Sequence, residues 1–209
     1  VILLIGDAMG LTQIYSGYTA NKGQLNLFNI PTQGFSITKA SDSYITDSAA
    51  GATAMATGHK TNNRFISVDE NRRPLELITQ QLAKKNYKTA IISAGNITDA
   101  TPAAFYAHQP ERSLSEPVAN DFLSNPSDIL IGGGQKEFIS RKDGKDLSKI
   151  LIEKGYTFSD KFASLDTIKN NKFVVLEDAA VVSMKNGRGD FLTKSLAKAT
   201  TTFSKTKNP

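Results

Sequence analysis

Short apolar runs alternate with helical patterns along this chain, and this alternation constrains the fold more than any other feature. Five runs are typical of strands, at residues 1–5, 34–38, 89–93, 128–131 and 173–176. Helical patterns lie between them; one begins at Pro74 and another follows Phe191. Strands that alternate with helices form a mostly parallel sheet covered on both faces. We therefore predict an α/β fold, a three-layer sandwich whose mostly parallel central sheet is flanked by helices.

Length and composition indicate one domain and exclude several classes of partner. The 209 residues, 39% hydrophobic and 22% charged, suit a single α/β domain over residues 1–209. The net charge of +5 comes from dispersed lysines without an aromatic stripe, which argues against a nucleic-acid partner. The sequence contains no cysteine, which excludes disulfides and thiolate metal sites. No apolar run reaches the length of a membrane span.

The first strand pattern leads into an acidic residue. Residues 1–5 (VILLI) form a continuous β-branched and leucine run, which is typical of a strand covered on both faces. Asp7 follows directly, and ligands of open α/β sheets gather at the carboxyl ends of strands. Asp7 is therefore a candidate catalytic or metal-binding carboxylate. The structural alternative is a turn aspartate that binds its own backbone.

A run of very small residues forms the second candidate segment. Residues 48–57 (SAAGATAMAT) favour a helix, with Asp47 as its N-cap and Gly58 at its C-terminal end. Ser48 then lies in the first turn, where unpaired N–H groups and the helix dipole attract a phosphate. The structural alternative is a capped helix whose small face packs closely on a sheet.

The third candidate segment follows the strand pattern at residues 89–93. It contains Asp99 and Thr101, then Pro102, which favours the start of a helix, and Arg112 a little further on. A carboxylate, a hydroxyl and a guanidinium at this spacing suit a hard cation beside an anionic ligand. The structural alternative is a threonine N-cap before a proline, together with a surface arginine.

Spacing excludes two nucleotide-binding motifs. Residues 6–10 (GDAMG) lack the G-x-G-x-x-G spacing of a dinucleotide fingerprint. His59 separates Gly58 from Lys60, so the segment GHKT is not the end of a P-loop. The three glycines at residues 132–134 indicate a tight turn between a strand and a helix more than a close approach to a ligand.

Together these segments resemble the alkaline phosphatases. Residues 45–53 (ITDSAAGAT) are similar to the nucleophile signature of that family, and residues 4–10 (LIGDAMG) to its first strand and metal-binding aspartate. Residues 99–104 (DATPAA), followed by His108 and Arg112, resemble its magnesium and phosphate segment, and residues 131–134 (IGGG) a further landmark. The motifs occur in the family's order. The resemblance implies a metal-dependent phosphomonoester hydrolase with a phosphoserine intermediate.

The resemblance implies catalytic roles for three residues. Ser48 would be the nucleophile, Arg112 would grip two phosphate oxygens, and Asp47 would orient Arg112. The chemistry of phosphoryl transfer is consistent with these roles. A serine hydroxyl needs a metal or a base to become an effective nucleophile. The planar fork of arginine matches two phosphate oxygens, and phosphoryl transfer depends mainly on positioning and charge stabilisation.

The resemblance also implies two zinc ions and one magnesium ion. Asp7 would bridge a zinc and the magnesium, and Ser48 would contact zinc. Thr101 would ligate magnesium, with Asp99 beside it acting directly or through bound water. Two zinc ions can stabilise the attacking and leaving oxygens of an in-line displacement.

The histidines depart from the family pattern. The family's zinc sites use several histidines and further carboxylates, whereas this sequence contains only His59 and His108, neither at a zinc-ligand position. We expect His59 at the surface and His108 at a helix end or beside the site. The chain is therefore expected to be the N-terminal part of a larger catalytic domain, incomplete at its C-terminus, and inactive alone.

The resemblance implies partners and leaves two alternatives open. A small phosphomonoester, inorganic phosphate and a second copy in a homodimer are the implied partners. Export to the periplasm or the extracellular space is expected, with any signal peptide removed or left out. The first alternative is a phosphodiesterase or sulfatase-like hydrolase of the same superfamily, although Ser48 with Arg112 favours monoesters. The second is a non-catalytic phosphate-binding scaffold.

Overall fold

The computed structural model describes residues 1–187 and 189–205, with Met184 by its backbone alone. The last residues of the predicted domain, 206–209, lie outside the described part. The helices are α1 Leu11–Ala20, α2 Ser48–Thr57, α3 Ile78–Lys84, α4 Ala100–Ala103, α5 Ser115–Asp121, α6 Lys136–Ile139, α7 Leu147–Glu153 and α8 Phe191–Phe203. The strands are β1 Ala90–Asn96, β2 Ile129–Gly133, β3 Thr157–Ser159 and β4 Phe173–Leu176. In the described residues, no helix is long and apolar enough for a membrane span.

The four strands form one sheet in the order β1-β2-β4-β3, and every neighbouring pair is parallel. Ala90 pairs with Ile129, and Ile129 pairs with Phe173 on its other side. The predicted α/β class with a parallel sheet is confirmed. The sequence pattern did not predict β3, a three-residue strand at the edge of the sheet.

The core consists of two apolar layers, one on each face of the sheet. Side chains of β2 and β4 alternate between the faces, as the two-residue period of a strand requires. Leu130 and Val174 belong to a core shared with α2, α4, α5, α6 and α7. Ile129 and Phe173 belong to a second core, which Phe191 of α8 closes. Helices on both faces produce the predicted three-layer sandwich.

Helix α2 forms as the sequence predicts. Asp47 Oδ1 accepts the N–H of Ala50 at 2.9 Å, and Gly58 ends the helix with a φ of 75°. Ala52 and Ala56 are buried in the core that α2 shares with α4. Because these side chains are single methyl groups, α2 can pack closely on α4. The helix is therefore both capped and set against the element that follows β1.

Two of the predicted strands are wrong. Residues 1–5 and 34–38 form no ladder with the described strands. Leu3 and Leu4 are exposed rather than covered on both faces, and Phe35 and Ile37 are exposed as well. An apolar run supplies side chains for a sheet, but a strand also needs a neighbour with unpaired N–H and C=O groups. Neither run pairs with a described strand, although β1 and β3 each have one free edge.

The helix predicted to begin at Pro74 begins later, at Ile78. Residues before it are held in an antiparallel bridge between Val68 and Pro74, and the N–H of Leu75 donates to Ser67 O at 2.9 Å. These backbone groups are therefore engaged across a turn and cannot join α3. Pro102 is predicted to start a helix, whereas helix α4 begins at Ala100, contains Pro102 and ends at Ala103.

Candidate active site

The candidate active site lies where the N-terminus of α2 meets the start of α4. Helix α4 follows the carboxyl end of β1, so its first residues stand at the sheet edge where ligands of parallel sheets bind. The structure brings toward this place all of the residues that the sequence singled out: Asp7, Asp47, Ser48, Asp99, Thr101 and Arg112.

Arg112 connects the first group of site residues. Its Nη1 donates to Ser48 Oγ at 2.8 Å and to Asp47 Oδ2 at 3.2 Å. The Arg112 and Asp47 side chains are 29% and 25% exposed, so this ion pair is partly sheltered from water. Partial shelter strengthens the attraction relative to a surface pair. The guanidinium is thus held directly beside the serine hydroxyl.

Asp47 is itself held by residues that the sequence did not single out. Its N–H donates to Asn63 Oδ1 at 2.7 Å, and Asn63 Nδ2 donates to Ile45 O at 2.9 Å. The N–H of Arg64 donates to Asp47 Oδ2 at 3.0 Å. These contacts cross 16 and 17 residues of sequence, and no local motif indicates them.

Asp7, Thr101 and Asp99 form the second group. Thr101 Oγ1 donates to Asp7 Oδ2 at 2.7 Å. The Asp99 side chain reaches solvent, yet the protein around its carboxyl removes enough hydration to raise its pKa. The Arg112 guanidinium opposes this rise in pKa and the Asp7 carboxylate adds to it. Asp99 therefore interacts electrostatically with Arg112 of the first group and with Asp7 of the second, so the two groups form one site.

The donor atoms of this site suit a hard cation better than zinc. Asp7, Asp99 and Thr101 offer carboxylate and hydroxyl oxygens, the ligand type that Mg²⁺ prefers. In the part of the chain that the structure describes, no three His, Cys, Asp or Glu side chains are grouped closely enough to hold a metal ion. These oxygen donors are of the type that magnesium prefers, and the described residues contain no cluster of the kind that holds zinc.

The two histidines and the glycine turn lie in other surroundings. His59 is exposed after α2, with Nδ1 2.9 Å from Thr57 O. His108 lies with Nε2 2.9 Å from Leu75 O and contacts no predicted metal ligand among the described residues. The turn predicted at residues 132–134 begins only at Gly134, because Gly132 and Gly133 belong to strand β2. Gly134 has a φ of 90° and its N–H donates to Asp178 Oδ1 at 2.6 Å.

Comparisons with known proteins converge on one family. The family model for alkaline phosphatase matches residues 1–178. Alkaline phosphatase 4 of Bacillus subtilis (strain 168) is 33% identical over 187 residues, which cover 82% of this chain and 40% of that protein. The solved alkaline phosphatase of the Antarctic bacterium TAB5 gives a TM-score of 0.88 at 36% identity, covering 93% of this chain and 58% of that one.

A mutant of the TAB5 enzyme, solved with Mg bound in its M3 site, gives a TM-score of 0.87 at 37% identity. That match covers 94% of this chain and 58% of the solved chain. The present chain thus spans 40% of the length of the curated Bacillus relative and 58% of the solved chains.

Proposed function

The chain belongs to the alkaline phosphatase family, and from that premise we propose that it supplies the nucleophile and the phosphate-binding arginine of a phosphomonoester hydrolase. The observation that carries the proposal is the position of Arg112 Nη1, 2.8 Å from Ser48 Oγ and 3.2 Å from Asp47 Oδ2. An anion that binds this guanidinium comes to rest beside the hydroxyl that would attack it.

In the proposed reaction, Ser48 Oγ attacks the phosphorus of a phosphomonoester. The Ser48 hydroxyl loses its proton, a new O–P bond forms, and the bond from phosphorus to the alcohol oxygen breaks. The alcohol leaves after it takes up a proton, and phosphoserine remains. A water molecule then attacks the phosphorus from the vacated side, releases inorganic phosphate and restores the serine.

Arg112 would bind the phosphoryl group throughout this sequence. Its Nε and Nη2 make no hydrogen bond to the described residues, so these donors are available for phosphate oxygens. Two parallel N–H donors match two oxygens of a phosphate. The ion pair with Asp47 limits rotation of the guanidinium, and the N-terminus of α2 adds partial positive charge around Ser48.

We also propose that the site binds metal ions. Asp7, Asp99 and Thr101 would hold a magnesium ion, which when bound supplies positive charge next to the phosphate. Two zinc ions stay a prediction from the resemblance, with Asp7 and Ser48 as their candidate ligands. Those two residues alone do not complete a zinc site.

The remaining expectations concern the whole protein. Because the chain spans 40% of its Bacillus relative, we propose that it forms the N-terminal part of a larger catalytic domain and is inactive alone. A small phosphomonoester and inorganic phosphate are the proposed ligands. A homodimer and export to the periplasm or the extracellular space stay predictions from the resemblance.

Phosphate binding tests the role of Arg112. We expect Arg112→Ala to weaken the binding of inorganic phosphate by about 1.5–3 kcal/mol, roughly 10- to 150-fold in Kd, since a charge-assisted contact is lost. Isothermal titration calorimetry measures the affinity. Arg73→Ala serves as the matched control because the ion-pair partner of Arg73 among the described residues is Asp69, which is not a site residue. An unchanged Kd in Arg112→Ala would remove Arg112 from the site.

Hydrolysis of 4-nitrophenyl phosphate, with zinc and magnesium added, tests the role of Ser48. Turnover that disappears in Ser48→Ala would support the nucleophile, whereas equal turnover in that variant would reject it. Phosphate binding without turnover would support the expectation that the chain is inactive alone. Faster hydrolysis of bis(4-nitrophenyl) phosphate than of the monoester would favour a phosphodiesterase instead.

A further inference from the structure

An ion pair beside the site lies across a short antiparallel contact between two loops. Ile66 and Gln109 exchange both backbone hydrogen bonds, at 2.8 and 2.9 Å. Because the segments are antiparallel, the residue two before Ile66, Arg64, lies opposite the residue two after Gln109, Glu111. Arg64 Nε and Nη2 donate to the two carboxylate oxygens of Glu111, at 2.8 and 2.5 Å. The pair is therefore bidentate, the geometry that most restricts both side chains.

Glu111 holds the chain on both sides of Arg112. One of its carboxylate oxygens also accepts the N–H of Ser113 at 3.0 Å and the hydroxyl of Ser113 at 2.9 Å. The residues before and after Arg112 are thus joined through one carboxylate. Rotation of the Arg112 backbone would break these contacts, so the direction in which its side chain leaves the loop is restricted.

Arg64 links the same loop to the cap of α2. Its backbone N–H donates to Asp47 Oδ2, the oxygen that Arg112 Nη1 approaches from the other side. Arg64 adopts this position with a φ of 72°, in the left-handed region that favours glycine. An arginine in this region carries backbone strain that a glycine does not. Glycine would supply the same N–H to Asp47 without strain. The feature that arginine adds over glycine at this position is the guanidinium that binds Glu111.

We propose that Arg64 and Glu111, together the Arg64–Glu111 clamp, are positioning residues that hold Arg112 in register with Ser48. The inference rests on the proposed function, in which Arg112 binds phosphate. Arg64 and Glu111 are 57% and 35% exposed, and pairs this accessible contribute little to global stability. The clamp therefore restricts the motion of the Arg112 side chain and strengthens phosphate binding more than it raises the free energy of unfolding.

Two single variants and one matched control test the clamp. Arg64→Gly keeps the N–H on Asp47, relieves the positive φ and removes the guanidinium, while Glu111→Gln removes the carboxylate charge. Arg72→Gly is the control, because Arg72 is also an exposed arginine with a positive φ, 63°, and has no hydrogen bond to a site residue in the described structure. The affinity for inorganic phosphate and the ¹⁵N order parameter of the Arg112 Nε–H bond are measured for each protein.

We expect Arg64→Gly and Glu111→Gln each to weaken phosphate binding by about 3- to 10-fold and to lower the Arg112 order parameter, with no further loss in the double variant. The melting temperature should stay near that of the wild type, and Arg72→Gly should change neither readout. The clamp would be overturned if both clamp variants kept the wild-type phosphate affinity and the wild-type Arg112 order parameter while Arg112→Ala lost phosphate binding. If Arg112→Ala binds phosphate normally, the proposed function fails and the Arg112 order parameter alone decides on the clamp.

Discussion

Replacing Asp47 by asparagine separates two roles of one carboxylate. Oδ1 accepts the N–H of Ala50 and caps α2, whereas Oδ2 accepts the N–H of Arg64 and Nη1 of Arg112. Asparagine caps a helix as well as aspartate does, so the contact at Oδ1 can survive. Its NH₂ group then points at two donors, and both lose their acceptor. Rotation of the amide would restore those bonds only at the expense of the cap.

The expected loss of stability follows from these contacts. A hydrogen bond to a charged group contributes about 1.5–3 kcal/mol, and the partial exposure of Arg112 and Asp47 places the Asp47→Asn loss at about 2 kcal/mol. Asp47→Ala also removes the cap, which adds about 1 kcal/mol. As a control, Asp146 caps α7 through Ser148 and faces Lys149, whose side chain is 77% exposed. Asp146→Asn should therefore lose less than about 0.5 kcal/mol.

Urea unfolding followed by far-ultraviolet circular dichroism measures these differences. We expect the free energy of unfolding to decrease in the order wild type, Asp146→Asn, Asp47→Asn and Asp47→Ala. If Asp47→Asn were as stable as Asp146→Asn, the contacts at Oδ2 would contribute nothing, and the arrangement of Arg64 and Arg112 around Asp47 would be refuted.

Three further outcomes are expected. Arg141→Ala should lower the free energy of unfolding by about 2–3 kcal/mol, because the guanidinium is 3% exposed and binds two backbone carbonyls; a loss near zero in urea unfolding would contradict this. Hydrogen bonds from Arg64 and the Ser113 N–H lower the pKa of Glu111 from 4.5 to about 2. The contribution of the ionised Glu111 to the stability of the fold is therefore complete above pH 4.5 and is lost as the pH falls toward 2. A carboxyl titration by NMR with an ordinary midpoint would show that the clamp does not form. Asp7→Ala should lower the magnesium content measured by mass spectrometry, and unchanged occupancy would exclude Asp7 as a ligand.

Local signals made part of the fold predictable. The cap at Asp47, the small residues of α2 and the glycine at position 58 act within one helix, so the sequence alone located α2. Strands β1, β2 and β4 were predictable for the same reason, since each is a compact apolar run between helical patterns. The runs at residues 1–5 and 34–38 also carry large apolar side chains, but they pair with none of the described strands. Composition alone does not show whether a run has a partner strand.

The residues of the candidate site also fall into those that a local sequence signal predicts and those that it does not. Its six predicted residues lie in short segments that carry their own signals, and the structure places them together, although their catalytic roles stay predictions. Arg64, Asn63 and Glu111 carry no such signal. The contact between Arg64 and Glu111 depends on the register of Ile66 against Gln109, which joins loops more than 40 residues apart and is set only when the fold forms. Asn63 reaches Asp47 across 16 residues of sequence.

The small buried face of α2 has a consequence for how such a site can be tuned. Ala49, Ala52 and Ala56 are almost completely buried, so a larger side chain at any of them would push the helix away from its neighbours. Ser48 would move with the helix and change its distance from the Arg112 guanidinium. The position of the proposed nucleophile therefore depends on three buried methyl groups of α2, and substitutions there would change its reactivity without altering a predicted site residue.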